Sequence, residues 1–163
     1  MRLDAGLAAP RRERVTAGEI VEAAVSRFGE SLAAHALFVD VDAPASAIPL
    51  DVDPAQVTEA LGHGLENAAR YSAPGTEVRV SVTETEGQAR FEVADRGPGV
   101  AEPDRERVFE RFVRLPGTAG IPGTGLGLFI ARRLIEMNGG RVRLAPSEPA
   151  GTRFEILVPR AAS

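Results

Sequence analysis

The sequence predicts a two-layer α/β sandwich of the α+β kind, with helices on one face of a mixed, mostly antiparallel sheet. Three observations predict it. Segments near 17–28, 54–68 and 126–138 read as helices. Segments near 77–83, 89–94, 141–145 and 152–158 read as strands, and they fall in adjacent pairs. The chain has 163 residues, 44% of them hydrophobic and 26% charged, enough for one domain with a real core.

Residues 1–14 are rich in Arg and Ala, carry one Pro and show no long periodic pattern, so they read as a linker. The domain is expected over 15–160, with a short tail at 161–163. Thr16 and Glu19 have capping-box spacing and place a helix start near Ala17. Ile20, Ala23, Ala24 and Phe28 supply its apolar stripe. Leu37 to Val41 alternates as a short strand. Asp53-Pro54 with Gln56 marks the next helix: an Asp N-cap, Pro at the first helical position and Gln at the third. Val57, Leu61, Leu65 and Ala68 form its buried face. A turn at Glu86-Gly87 joins the strands over 77–83 and 89–94. A stretch rich in Pro and Gly runs from Gly97 to Gly125, interrupted by a short helix near Arg105–Phe112. The last helix runs from Leu126 to Asn138, and Gly139-Gly140 ends it.

Composition excludes several classes. A net charge of -4 and a pI near 5.3 argue against a nucleic-acid surface or a polybasic membrane surface. Cysteine is absent, which rules out disulfides, thiolate metal sites and cysteine nucleophiles. No apolar run spans a bilayer and no signal peptide opens the chain, which suits a cytoplasmic domain without direct membrane contact.

Three motifs carry the chemistry. His63, Asn67, Arg70 and Tyr71 share one helix face, away from Leu61, Leu65 and Ala68. An amide oxygen at Asn67 can ligate Mg²⁺, and a guanidinium at Arg70 can pair with phosphate. Next, Asp95-Arg96-Gly97-Pro98-Gly99 follows a strand, with Gly97 and Gly99 allowing a tight turn and close backbone approach. A carboxylate held there can accept the exocyclic amine of adenine. Guanine, with a carbonyl at that position, is disfavoured. The third motif, Gly123-Thr124-Gly125-Leu126-Gly127-Leu128, precedes a helix, where bare amides and the positive helix end favour phosphate oxygens. It is not a Walker loop, because no Lys-Ser/Thr follows, and its third glycine comes too early for a Rossmann fingerprint. Between the second and third motifs, Phe109 and Phe112 read as apolar anchors for the base of the following loop. Leu115 to Pro122 reads as a short lid.

The order of these motifs resembles the N, G1, F and G2 boxes of the ATP-binding domain of bacterial sensor histidine kinases. That domain belongs to the superfamily of gyrase, the heat-shock chaperone ATPases and the MutL repair ATPases, with its Bergerat-type fold. The resemblance runs from about Arg2 to Pro159 and implies the following roles. Asn67 holds Mg²⁺. Arg70, and Arg114 at the lid entrance, touch the triphosphate. Asp95 reads adenine, and Thr152 reaches it through water. Tyr71 and the glycine runs line the nucleotide. The segment Arg2–Gly6 resembles the end of the dimerisation helix that precedes such domains.

One position departs from the pattern. Four residues before the metal-holding Asn, kinases usually carry another Asn and gyrase-like ATPases a water-activating Glu, whereas this chain has His63. A neutral imidazole is a poor Mg²⁺ ligand. His63 reads either as a hydrogen-bond donor to phosphate or as a substitution with no role, and a weak base is a third reading. Neither His resembles a phosphoacceptor: His35 is followed by Ala36-Leu37-Phe38 and reads as a helix-end residue. The resemblance therefore implies a domain that supplies the γ-phosphoryl of ATP to a histidine on a separate dimerisation domain, for relay to a response regulator. Two rivals remain: a nucleotide-responsive protein-binding module without transfer activity, and a gyrase-like ATPase.

Overall fold

The computed structural model describes residues 7–36, 38–43, 45–110, 126–147 and 150–162. The first strand, β1 (Glu13–Thr16), leads directly into helix α1 (Ala17–Ala34). Thr16 caps α1 by accepting a hydrogen bond from the Glu19 amide at 3.3 Å. Strands β2 (Phe38–Asp42) and β3 (Pro49–Val52) follow, then α2 (Pro54–Tyr71). Asp53 caps α2 as expected: its carboxylate accepts from the Gln56 amide at 3.1 Å. Strands β4 (Glu77–Thr85) and β5 (Gln88–Ala94) form a hairpin. Its two-residue turn places Glu86 at φ 49° and Gly87 at φ 77°, the signs that match the twist of the flanking strands. Helix α3 (Gly127–Met137) and strands β6 (Arg141–Pro146) and β7 (Thr152–Pro159) complete the order.

The main sheet has five strands in the order β2-β4-β5-β7-β6. The β2–β4 pair is parallel and the others are antiparallel. The helices cover one face. Strand alternation sends Val78, Val80, Val82, Phe91, Val93, Phe154 and Ile156 into that interface, where all are buried. Leu61, Leu65 and Ala68 of α2 meet them, and Ala131, Leu134 and Ile135 of α3 do the same. Two glycines set the depth of α2. A side chain at Gly62 would strike the Phe28 ring of α1, and one at Gly64 would strike the Phe154 ring of β7. Aromatic rings thus fill the places that side chains would otherwise take.

Three expectations need correction. Residues 13 and 14, expected at the end of the linker, belong to β1, which pairs antiparallel with β3 in a separate two-stranded sheet. The helix expected near 105–112 is, over its described part, a 3-10 turn at Arg107–Phe109, preceded by another at Glu102–Asp104. Pro103 and the turn residues on either side favour such short pieces over a continued α-helix. Ala23 is exposed, and the buried stripe of α1 runs through Ala17, Ile20, Val21, Ala24 and Leu32 instead.

Candidate functional site

The C-terminal half of α2 presents the expected polar residues. His63, Asn67 and Tyr71 are half-buried and Arg70 is exposed. Asn67 has no side-chain hydrogen bond, and Arg70 no ion pair, among the described residues, so both groups are available to a ligand. The end of this helix meets the turn after β5 closely: a side-chain carbon at Gly97 would lie 2.7 Å from the Tyr71 carbonyl oxygen. Glycine at 97 is therefore what lets the turn reach α2.

Asp95 is the most constrained group of the site. It is 6% exposed. Its Oδ1 accepts the Gly97 amide at 2.9 Å and the Thr152 amide at 3.2 Å, and its own amide donates to the Thr152 carbonyl at 2.8 Å. Burial pushes its carboxyl above the ordinary range, and the two N–H donors pull part of the way back. Both bonds go to Oδ1, and among the described residues Oδ2 accepts none. The second partner was not evident in the sequence. Gly151 sits at φ 107°, and a β-carbon there would overlap the Asp95 carbonyl. A glycine one residue ahead of the last strand was the available signal. Thr152 is buried, and its described contacts toward the site are the two backbone bonds with Asp95, one donated and one accepted. Gly99, at φ 79°, lies over the Gly151 carbonyl, so the two turns nest.

The start of α3 is the third component. Leu126, Gly127 and Leu128 are half-buried, and no side chain caps the helix at Leu126. Gly127 abuts His63: a side-chain carbon at 127 would lie 3.5 Å from His63 Nδ1. The His63 ring is held between two carboxylates of its own helix, with Nε2 3.4 Å from Glu59 and Nδ1 3.6 Å from Glu66. Glu66, three residues on and about 60° round the helix, thus reaches the ring. Phe109 is buried under this region, 6.4 Å between centroids from Phe154, with the Arg132 guanidinium 5.9 Å from its ring centre. Phe112, Arg114, Gly123, Thr124 and Gly125 lie outside the described residues, as does the expected lid.

The Asp95 turn and the start of α3 therefore both border α2, at Tyr71 and at His63, although they are distant in sequence. Within them are a polar helix face, a buried carboxylate with one oxygen left over, and a helix start. The donor set can be tested against a divalent cation. No cluster of three or more His, Asp or Glu side chains that could hold a metal occurs among the described residues. Asn67 offers a single amide oxygen. That fits Mg²⁺ taken up together with phosphates, since Mg²⁺ keeps several waters and needs few protein ligands. No helix among the described residues is long and apolar enough to cross a membrane.

A buried carboxylate with a spare oxygen, beside a helix start and a polar helix face, is an arrangement suited to a nucleotide. Comparison with known proteins agrees. The model of the family described as histidine kinase-, DNA gyrase B-, and HSP90-like ATPase matches residues 52–162, and the chain belongs to that family. Within the family it is an ATP-binding domain of the sensor histidine kinase type. It is similar to the signal transduction histidine-protein kinase/phosphatase MprB of Mycobacterium sp. (strain KMS), 38% identical over 112 residues, covering 66% of this chain and 22% of that protein. The chain thus spans about a fifth of that relative's length. A solved structure of a mycobacterial sensor histidine kinase MprB superposes with a TM-score of 0.80 at 28% identity, covering 94% of this chain and all of that one. Full-length ShkA in complex with AMPPNP superposes with a TM-score of 0.81 at 26% identity, covering 97% of this chain and 33% of that one.

Proposed function

We propose that this domain binds Mg²⁺-ATP between α2, the Asp95 turn and the start of α3, and supplies the γ-phosphoryl to a histidine on a dimerisation domain of the same kinase. From there the phosphoryl passes to a response regulator. The observation that carries this reading is Asp95. It is buried, its Oδ1 is committed to two backbone amides, and its Oδ2 is left for the adenine amine. Asn67 holds the metal, and Arg70 and Arg114 neutralise phosphate charge. The amides of the glycine run, from Gly123 to Leu128, approach the phosphates. Tyr71, Gly97, Gly99 and Thr152 close around the base and sugar. The chemistry is in-line transfer, so the domain contributes position and charge neutralisation rather than a covalent step. The whole kinase works with this domain on the cytoplasmic side, whether or not a membrane anchor precedes it.

His63 is oriented by Glu59 and Glu66 and stands beside Gly127. This geometry favours a hydrogen-bonding role near the phosphates over a role as metal ligand. The binding step is tested by calorimetric titration of the chain with AMPPNP, with and without Mg²⁺. Binding tightened by Mg²⁺, followed by transfer from ATP to a supplied dimerisation domain, is the expected result. Binding without transfer to any such domain would leave a nucleotide-responsive module, and steady hydrolysis by the chain alone would favour a gyrase-like ATPase.

A further inference from the structure

The N-cap of α2 and the C-cap of α3 are tied together by a buried polar cluster that none of the nucleotide contacts requires. Asn138, 3% exposed, is its centre. Its Oδ1 accepts the Asp53 amide at 2.8 Å, and its Nδ2 donates to the Leu134 carbonyl at 2.8 Å and to Gln56 Oε1 at 3.0 Å. Those bonds alone would serve to dock two helix ends. The cluster goes further. Gln56 Nε2 donates to the Ala8 carbonyl at 2.8 Å, and the Arg11 amide donates to Asp53 Oδ2 at 2.9 Å.

Residues 7–12 form neither strand nor helix, and these two bonds are what hold their backbone. Leu7 packs against the core beside them. The segment leading into β1 is therefore wired through two side chains to the C-cap of α3. At the other end of α3, eleven residues away, is Gly127, beside His63 and at the start of the proposed phosphate site. A helix of that length is a rod of about 16 Å at 1.5 Å per residue, so an axial shift at Asn138 arrives at Gly127 little diminished.

We infer that Asp53, Gln56 and Asn138 are positioning residues that latch α3 to the segment preceding β1, so that movement of this segment displaces the start of α3 and changes nucleotide affinity. The inference rests on the nucleotide reading above for its functional consequence. The linkage is reciprocal: nucleotide bound at the start of α3 must also change how tightly residues 7–12 are held.

The test uses two substitutions that spare the helix-to-helix bonds. Gln56→Glu keeps an acceptor for Asn138 and removes the donor to Ala8. Arg11→Pro removes the donor to Asp53. Each variant, their combination and the unchanged chain are compared in two ways: affinity for AMPPNP by calorimetry, and amide hydrogen exchange without nucleotide. Either variant is expected to speed exchange in residues 7–12 and also along α3, and to change AMPPNP affinity by roughly five-fold or more. The double variant should do more than either single one, because Gln56 and Asp53 hold the segment through two parallel bonds. Faster exchange confined to residues 7–12, or unchanged affinity in a folded variant, would overturn the latch. If the unchanged chain bound no AMPPNP, the nucleotide reading would fail by itself. The exchange at α3 would then decide the latch alone.

Discussion

Replacing Asp95 by Asn separates what the carboxylate does for the fold from what it does for the ligand. The side chain is buried, and Oδ1 already serves the amides of Gly97 and Thr152. An asparagine of the same shape can keep its carbonyl oxygen on those two donors. Its amide nitrogen must then occupy the place of Oδ2. The acceptor that faces the adenine amine becomes a donor. A hydrogen bond to a charged group contributes about 1.5–3 kcal/mol, so ATP affinity should fall roughly 10- to 150-fold. A nucleotide with a carbonyl in place of that amine, GTP or ITP, should lose much less, because the new donor suits it. The fold should not suffer. Burial raises the Asp95 carboxyl above its ordinary value, so the ionised form opposes folding at neutral pH. The favourable contribution of the protonated group is present below the ordinary carboxylate range and is lost as pH rises through the raised value. The stability gain of Asp95→Asn over the parent should therefore grow from acid to neutral pH, read as the urea midpoint. ATP binding has the opposite dependence, since only the carboxylate accepts the amine. Parent affinity should drop as pH falls through that raised value, while the variant shows no such step. A folded Asp95→Asn chain that binds ATP within two-fold of the parent would refute the assignment.

Further predictions follow from the packing around that carboxylate. Gly151→Ala puts a side chain at φ 107° and into the Asp95 carbonyl. Strain at such an angle alone costs about 1–3 kcal/mol, so the urea midpoint should fall and ATP binding should weaken with it. Phe109→Ala empties a buried ring site against Phe154 and should destabilise by about 3–5 kcal/mol. On the outer sheet face, burial first and then the neighbouring Glu155 raise Glu92, while Arg153 and Arg90 oppose them. Glu155→Gln should thus lower the Glu92 pKa, followed by carboxyl-carbon NMR.

Local signals were the legible ones. The Asp53-Pro54-x-Gln56 start of α2, the Glu86-Gly87 turn and the Gly139-Gly140 stop each act within a few residues, and each is where the sequence placed it. Binary alternation located β4, β5, β6 and β7 because one face of each is apolar and the other polar. What escaped were short elements defined by their partners. β1 and β3, four residues each, have too few positions to show a period and exist because they pair with each other. Glycine is a poor helix former, and the reason for Gly62 and Gly64 lies in rings from α1 and β7. Glu155, nearly fully buried on the outer face beside Arg143 and Arg153, reads in sequence as an ordinary exposed strand position.

The same division runs through the candidate site. Asp95 was legible as a carboxylate after a strand, but its poise is not a property of its own motif. One of its two amide donors is Thr152, 57 residues further along, and that donor is placed by a turn only glycine allows. His63 shows the converse. Its identity departs from the resemblance, yet the geometry gives it two carboxylate neighbours one helical turn on either side and a contact with the start of α3. A substitution whose role the sequence left open is therefore built into the junction of α2 and α3. This junction is also joined at its far end by Asn138 and Gln56. α3 is thus held to α2 at both of its own ends, at Gly127 beside His63 and at its Asn138 cap. The relative placement of the metal-holding and phosphate-holding elements is thus a property of the helix pair, which is why residues remote from the nucleotide should change its affinity.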